Sequence, residues 1–340
     1  MADVRSGAGA LPVVDVGPLV SGAGDAAAVA EAIDAACREH GFFYIVGHGV
    51  DEGLSVRLEE QARALFALPD ESKERVAMRH GGAAWRGWFP LGGELTSGVP
   101  DGKEGFYLGA ELDAADPRVR SGLPLHGPNL FPSELPDLRP VVLEYLAAMT
   151  QLGHALMRGF ALALGLPAAW FDDNLTADPL VLFRIFRYPP TGPGSQWGVA
   201  EHTDYGLLTI LAQDRTGGLE VHAPSGWIEA PPRPGSFVCN IGDMLERMTA
   251  GRYRSTPHRV RNTGTADRLS FPFFFDPGWD AEVRPFPLPD PSESIGGRER
   301  WDGEDVLAFE GTYGDYLMRK VGRVFPDLEA EVLKGPPSSR

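Results

Sequence analysis

Apolar positions in this chain repeat with two different periods, and the period changes part-way along. In the first half they recur at intervals of three and four, as in helices with one buried stripe. Val29, Ile33 and Cys37 form such a stripe after the capping residue Asp25, and Gly41 ends it. Leu54, Leu58, Ala62, Leu65 and Phe66 form a second, from near Asp51 to just before Pro69. A long helix is predicted from about Ser133 to Leu164, with Leu138, Val142, Tyr145, Met149, Leu152, Leu156 and Phe160 on its apolar face. Pro136 and Pro140 confine its regular part to the later turns. A last helix, roughly Thr312 to Val324, is expected to pack on the outside.

Short β-like runs make up the other pattern. Leu11–Val16 and Phe42–Val46 come early; 180–188, 207–212, 219–222, 227–229, 236–240, 258–262 and 269–275 follow one another with Gly, Pro and Asn between them. Many short strands at this spacing predict a mainly β fold with flanking helices, a jelly roll or barrel rather than a parallel sheet. Arg79 to Gly109 reads as a long irregular loop, rich in glycine and carrying Trp85, Trp88, Phe89, Phe106 and Tyr107. Loops this long are seldom idle linkers. Asp276 to Arg300 reads as another loop, and the tail from Gly335 to Arg340 as disordered. No repeat or clean linker divides the chain. One compact domain is expected, with an N-terminal region over 11–125, a scaffold helix over 133–175, the β core over 178–285 and C-terminal helices over 300–333.

Composition narrows the function. A formal charge of −16 over 340 residues argues against nucleic acid as a partner. It leaves a small anionic ligand open, because a local cationic pocket dominates at short range. Cys37 and Cys239 are the only cysteines, which suits a reducing cytoplasm and excludes a disulfide framework or a thiolate zinc site. Met1 to Ala10 lacks the apolar core of a signal peptide, and no apolar run is long enough to span a bilayer. A cytoplasmic monomer or weak homo-oligomer acting on a small molecule, without membrane partners, is the expectation.

The chemistry concentrates in Ala200-Glu201-His202-Thr203-Asp204-Tyr205-Gly206. In an extended chain His202 and Asp204 point the same way. An imidazole and a carboxylate side by side are two metal ligands, and His258 in Thr256-Pro257-His258 offers a third. Two His and one carboxylate leave one side of a metal open, as in non-haem Fe(II) oxygenases. The same three groups suit zinc, and His-x-Asp by itself also describes a surface strand with two outward polar residues. Further on, Arg268 and Ser270 share a strand face. A guanidinium fork and a hydroxyl suit a carboxylate, such as the far end of a diacid that chelates the metal.

These stretches together are similar to the isopenicillin N synthase-like family of 2-oxoglutarate and Fe(II)-dependent oxygenases. The matching residues are His202-Thr203-Asp204, Asn240-Ile241-Gly242-Asp243, Ser255 to Val260, Arg268-Leu269-Ser270 and Gly41 to Val50. The resemblance implies a double-stranded β-helix (cupin-like) core, Fe(II) held by His202, Asp204 and His258, and the distal carboxylate of 2-oxoglutarate on Arg268 and Ser270. O2 would be the second cosubstrate, and succinate and CO2 would leave. Tyr188, in Arg187-Tyr188-Pro189-Pro190, matches a position that helps hold 2-oxoglutarate; it reads equally as a core tyrosine. Arg184 either is solvated or points inward toward a carboxylate near the metal. Asn240 and Asp243 read as turn residues. Substrate contacts are expected from Trp85, Trp88, Phe89, Glu94, Lys103, Glu104 and Phe106 in the aromatic loop, and from Trp197, Phe273 and Phe275 on the core side. Leu91 to Phe106 and His202 to Leu208 also resemble bacterial ethylene-forming enzymes of this family. The rivals are a relative that omits 2-oxoglutarate, a hydrolytic zinc enzyme, and a non-catalytic small-ligand binder on the same scaffold.

Overall fold

The computed structural model describes residues 10–96, 98–191, 197–288, 300, 302–303 and 305–326. The N-terminal part runs β1 (Val13–Asp15), α1 (Gly17–Ser21), α2 (Ala26–Glu39), β2 (Phe42–Val46), α3 (Glu52–Ala67) and α4 (Asp70–Glu74). Then come β3 (Gly87–Phe89), β4 (Leu95–Thr96), β5 (Val99–Pro100), β6 (Glu104–Gly109), α5 (Pro117–Arg120), α6 (Leu138–Ala163) and α7 (Trp170–Asn174). The remainder is β7 (Leu180–Tyr188), β8 (Val199–His202), β9 (Leu208–Gln213), β10 (Leu219–Ala223), β11 (Gly226–Glu229), β12 (Phe237–Ile241), α8 (Asp243–Met248), β13 (His258–Val260), β14 (Arg268–Asp276) and α9 (Tyr313–Val324).

Two sheets carry the site. The larger has the order β1-β2-β12-β9-β14-β7-β6-β3, and the smaller has β11-β10-β13-β8. Every neighbouring pair is antiparallel except β1 with β2. The cavity between the sheets takes alternate residues of the long strands: Leu182, Arg184, Phe186 and Tyr188 of β7, and Arg268, Ser270, Pro272, Phe274 and Asp276 of β14. The other face of β14 packs on helix. Phe275 lies so close to Gly153 of α6 that a Cβ there would sit 2.3 Å from its ring. The α6 stripe from Leu138 to Phe160 is buried as its spacing predicts. Asp25 and Asp51 cap α2 and α3 by accepting from Ala28 N–H and Gly53 N–H.

Two expectations change. The stretch from Arg79 to Gly109 is not irregular throughout: β6 pairs with β7 and β3 pairs with β6, so this segment extends the large sheet. All six residues of β6 are buried, so its two faces carry no polar alternation to read. The last helix does not pack on the outside. Leu317 and Val324 of α9 line the cavity, and Phe325 just beyond packs edge-on against Phe89 and Tyr107. The tail from Gly335 and most of the Pro-rich loop after Leu288 lie outside the described residues.

Candidate active site

His202 is the last residue of β8 and His258 the first of β13, and the antiparallel register sets them directly opposite. Asp204 lies two residues past the end of β8, in the turn leading to β9. That turn is fixed by backbone bonds from the start of α8: Asp243 N–H donates to Asp204 O (2.8 Å) and Met244 N–H to Gly206 O (3.1 Å). The result is three candidate ligand atoms, one from each side chain, all within 4.8 Å of one another. His258 Nε2 is 3.8 Å from Asp204 Oδ1.

Each ligand already has its other polar atom engaged. His202 Nδ1 bonds Ala200 O at 2.8 Å and His258 Nδ1 approaches Thr256 O at 3.3 Å, which leaves both Nε2 atoms for a metal. Asp204 Oδ2 accepts from Thr209 Oγ1 (2.5 Å) and Asn240 Nδ2 (2.7 Å), which leaves Oδ1. Burial pushes His202 below its usual pKa, and burial with the neighbouring His202 pushes His258 to about 4. Burial works against the Asp204 charge, but His258, His202, Asn240 and Thr209 together hold its carboxyl below the usual range. Neutral imidazoles and an ionised carboxylate are the forms that bind a metal. Three protein donors on one side, with a cavity on the other, fit Fe(II) with open positions.

A second anchor lies along β14. Arg268 is fully buried; its Nε donates to Gly217 O (2.6 Å) and its Nη2 to Gln213 Oε1 (3.1 Å). Its Nη1 is buried with no hydrogen-bond partner among the described residues. Ser270 and Tyr188 line the same cavity, and the Tyr188 ring is 4.9 Å from the guanidinium. A buried, unpartnered cationic donor beside a hydroxyl is costly unless an anion fills the space. The distal carboxylate of 2-oxoglutarate fits that requirement.

A third polar group lines the same cavity: Arg184 lies four residues from Tyr188 along β7, and Lys103, just before β6, reaches to 4.9 Å from the Phe186 ring between them. Glu94 accepts from Tyr107 Oη (2.6 Å), pairs with Lys103 Nζ at 2.8 Å and lies 3.8 Å from Arg184 Nη1. Burial opposes its charge, yet Lys103 and Arg184 keep the Glu94 carboxyl below the usual range. The Arg184 guanidinium lies over the faces of Tyr107 (4.1 Å) and Phe274 (4.8 Å).

Comparison with known proteins agrees with this geometry. The family description "non-haem dioxygenase in morphine synthesis N-terminal" matches residues 11–134, and "2OG-Fe(II) oxygenase superfamily" matches residues 178–277. A Dictyostelium discoideum protein described as a probable iron/ascorbate oxidoreductase is 47% identical over 335 residues, 90% of this chain and 91% of its own. The chain belongs to the 2OG-Fe(II) oxygenase superfamily. It is a 2-oxoglutarate-dependent non-haem iron dioxygenase. A 1-aminocyclopropane-1-carboxylate oxidase of the same organism is 36% identical over 357 residues (93% and 95% of the two chains). A homoarginine-6-hydroxylase of Oryza sativa subsp. japonica is 37% identical over 335 residues (92% and 96%). A solved 2OG-Fe(II) oxygenase family protein from Caulobacter crescentus superposes with a TM-score of 0.75 at 27% identity, covering 92% and 98%.

Not every expected contact of this oxygenase reaches the cavity. Glu94, Lys103, Arg184, Tyr188, Arg268 and Ser270 line it with the three candidate ligand residues. Arg184 points inward, because its neighbours Phe183 and Ile185 take the helix-facing side. Eight expected substrate residues are placed elsewhere, among them Trp88, which donates to Glu104, and Phe273, which is fully buried in β14. Trp85 is core, edge-on to Phe325, and Phe106 is fully buried in β6. Phe89 stands one layer back, against Phe186 and Tyr107. Glu104 ties the sheet together, accepting from Lys73 Nζ and Trp88 Nε1 and pairing with Arg187. Trp197 sits beside the Arg259 and Arg261 guanidiniums, and Phe275 faces α6. Asn240 is more than a turn residue, since its amide holds Asp204. Residues missed are Phe186, Tyr205, Phe274, Asp276, and Tyr313 and Leu317 of α9. Strand parity would have found two of them: counting by twos from Arg268 and Ser270 reaches Phe274 and Asp276, not Phe275.

Proposed function

We propose that this dioxygenase oxidises an unactivated C–H bond of a small amino acid bearing charges of both signs. In this reading His202 Nε2, Asp204 Oδ1 and His258 Nε2 hold Fe(II), and Arg268 with Ser270 and Tyr188 takes the distal carboxylate of 2-oxoglutarate. Bound Fe(II), 2-oxoglutarate and O2 would together supply the oxidation: one oxygen atom of O2 would enter succinate as 2-oxoglutarate loses CO2, and the other would go to the C–H bond. The protein's part is placement. Thr209 and Asn240 orient one carboxylate oxygen so that the other faces the ligand histidines, and Leu211, Leu219 and Val260 keep the shared cavity apolar.

The single observation that carries the reading is the three-ligand cluster sharing one cavity with the unpartnered Arg268 Nη1. The substrate class rests on the buried Glu94, Lys103 and Arg184 group in the same lining, which sets acidic and basic side chains together beside the metal site. The relatives named for 1-aminocyclopropane-1-carboxylate and homoarginine act on amino acids, which supports it. The test is succinate formation with Fe(II), 2-oxoglutarate and a panel of amino acids. Asp204→Ala and His258→Ala are expected to abolish it; wild-type turnover by either would refute the ligand assignment.

A further inference from the structure

The turn that carries Asp204 is gripped by the end of β14 and, behind it, by α9. Asp276, the last residue of β14, is 2% exposed. Its Oδ1 accepts from Leu207 N–H at 3.1 Å and its Oδ2 from Tyr313 Oη at 2.6 Å. Contact with the turn is so close that a Cβ on Gly206 would fall 1.5 Å from Asp276 Oδ1. Tyr313 is fully buried at the start of α9. One helical turn on, Tyr316 Oη donates to Asp243 Oδ2 at 2.8 Å, and the backbone N–H of that same Asp243 holds Asp204 O. So α9 touches the 204–207 turn through two separate buried carboxylates, one on each flank.

We infer that Tyr313 and Asp276 are positioning residues for the metal site: through them α9 fixes the turn that aims Asp204. The inference rests on the metal reading above. A carboxylate that accepts a backbone N–H from the turn sets where the turn lies, and the tyrosine hydroxyl sets where the carboxylate lies. Neither residue supplies a ligand atom to the three-residue cluster. Thr209 and Asn240 fix the Asp204 side chain, whereas Asp276 fixes the backbone that carries it. The same helix brings Leu317 and Val324 to the cavity, so one element both walls the substrate space and seats the metal turn.

The test is anaerobic titration of the metal-free full-length chain with Fe(II) against a competing chelator, followed by 2-oxoglutarate. Tyr313→Phe removes one hydroxyl and keeps the ring. It is expected to weaken Fe(II) binding about tenfold, the low end for groups that orient metal ligands. Asp276→Leu is expected to do at least as much. Asp276→Asn keeps an oxygen for Leu207 N–H and is expected to stay within about threefold of wild type. A purely packing role would leave Fe(II) affinity unchanged and would not separate Asn from Leu. Wild-type affinity in folded Tyr313→Phe overturns the inference, whether or not Asp276→Leu folds. Failure of the wild type itself to bind Fe(II) overturns the metal reading instead, and the inference falls with it.

Discussion

Asp204 has two oxygens with different tasks, and the residues that divide them are uncharged. Thr209 and Asn240 take Oδ2; the histidines face Oδ1. Asn240→Ala is therefore expected to cost about 10- to 100-fold in Fe(II) affinity although it touches no metal; equilibrium metal titration measures it. Arg268→Lys should act differently. A lysine cannot keep the Gly217 and Gln213 bonds and still offer a fork, so the KM for 2-oxoglutarate should rise at least tenfold. The rate at saturating 2-oxoglutarate should hold within a few-fold, read from succinate formation. The three candidate ligands and Arg268 could be picked out from the sequence because their side chains declare their chemistry wherever they fall. Asn240 was not, because a buried amide in an apolar strand looks like a turn former until its partner is seen. Phe274 and Phe275 are both aromatic, and only the parity fixed by Arg268 separates the one that lines the cavity from the one that faces α6.

At the scale of elements, α2, α3, α6 and α9 were legible from their apolar stripes, and the core strands other than β8 as short apolar runs between Gly, Pro and Asn. β6 was not: it is buried on both sides and interrupted by Gly105 and Gly109, so it carries neither alternation nor a clean apolar run. Gly105 belongs there because a Cβ would fall 2.4 Å from the Phe89 ring. The packing of α6 on β14 depends on the same economy of space. In an isolated helix Gly153→Ala gains about 1 kcal/mol from propensity. Here the new methyl would sit 2.3 Å from the Phe275 ring, which is itself wedged between α6 and the sheet. Overpacking of this kind costs about 1–3 kcal/mol, so the clash offsets the gain and more. The expected result is a lower urea midpoint with an unchanged slope. A variant as stable as wild type would mean that α6 can slide on the sheet without cost.

For the molecule as a whole the formal charge of −16 describes its exterior poorly suited to anions, while the interior sets its own balance through individual buried groups. Asp276 is the one whose effect on folding can be isolated. Burial pushes its pKa up to about 7, with Asp204 adding to the shift and the bonds from Tyr313 and Leu207 opposing it. The folded chain therefore keeps a proton there that the unfolded chain, near 3.9, has already released. Between those values the folded state binds more protons, so this group's contribution to stability falls as pH rises, and levels off above about 7. The slope is on the order of 1 kcal/mol per pH unit. The histidine ligands, whose folded pKa values are lowered, act the other way below about 6.5, and they mask the effect in wild type. Comparison with Asp276→Asn removes that masking, because every other group is common to both chains. The stability of the Asn variant relative to wild type should therefore climb from pH 5.5 to about 7 and then stay constant, in urea unfolding of the metal-free proteins. The neutral amide keeps the Leu207 bond without a charge to bury, so the residue that seats the metal turn is also one the fold would hold more firmly uncharged. A difference that does not change with pH would show that Asp276 ionises in the folded chain as readily as in water.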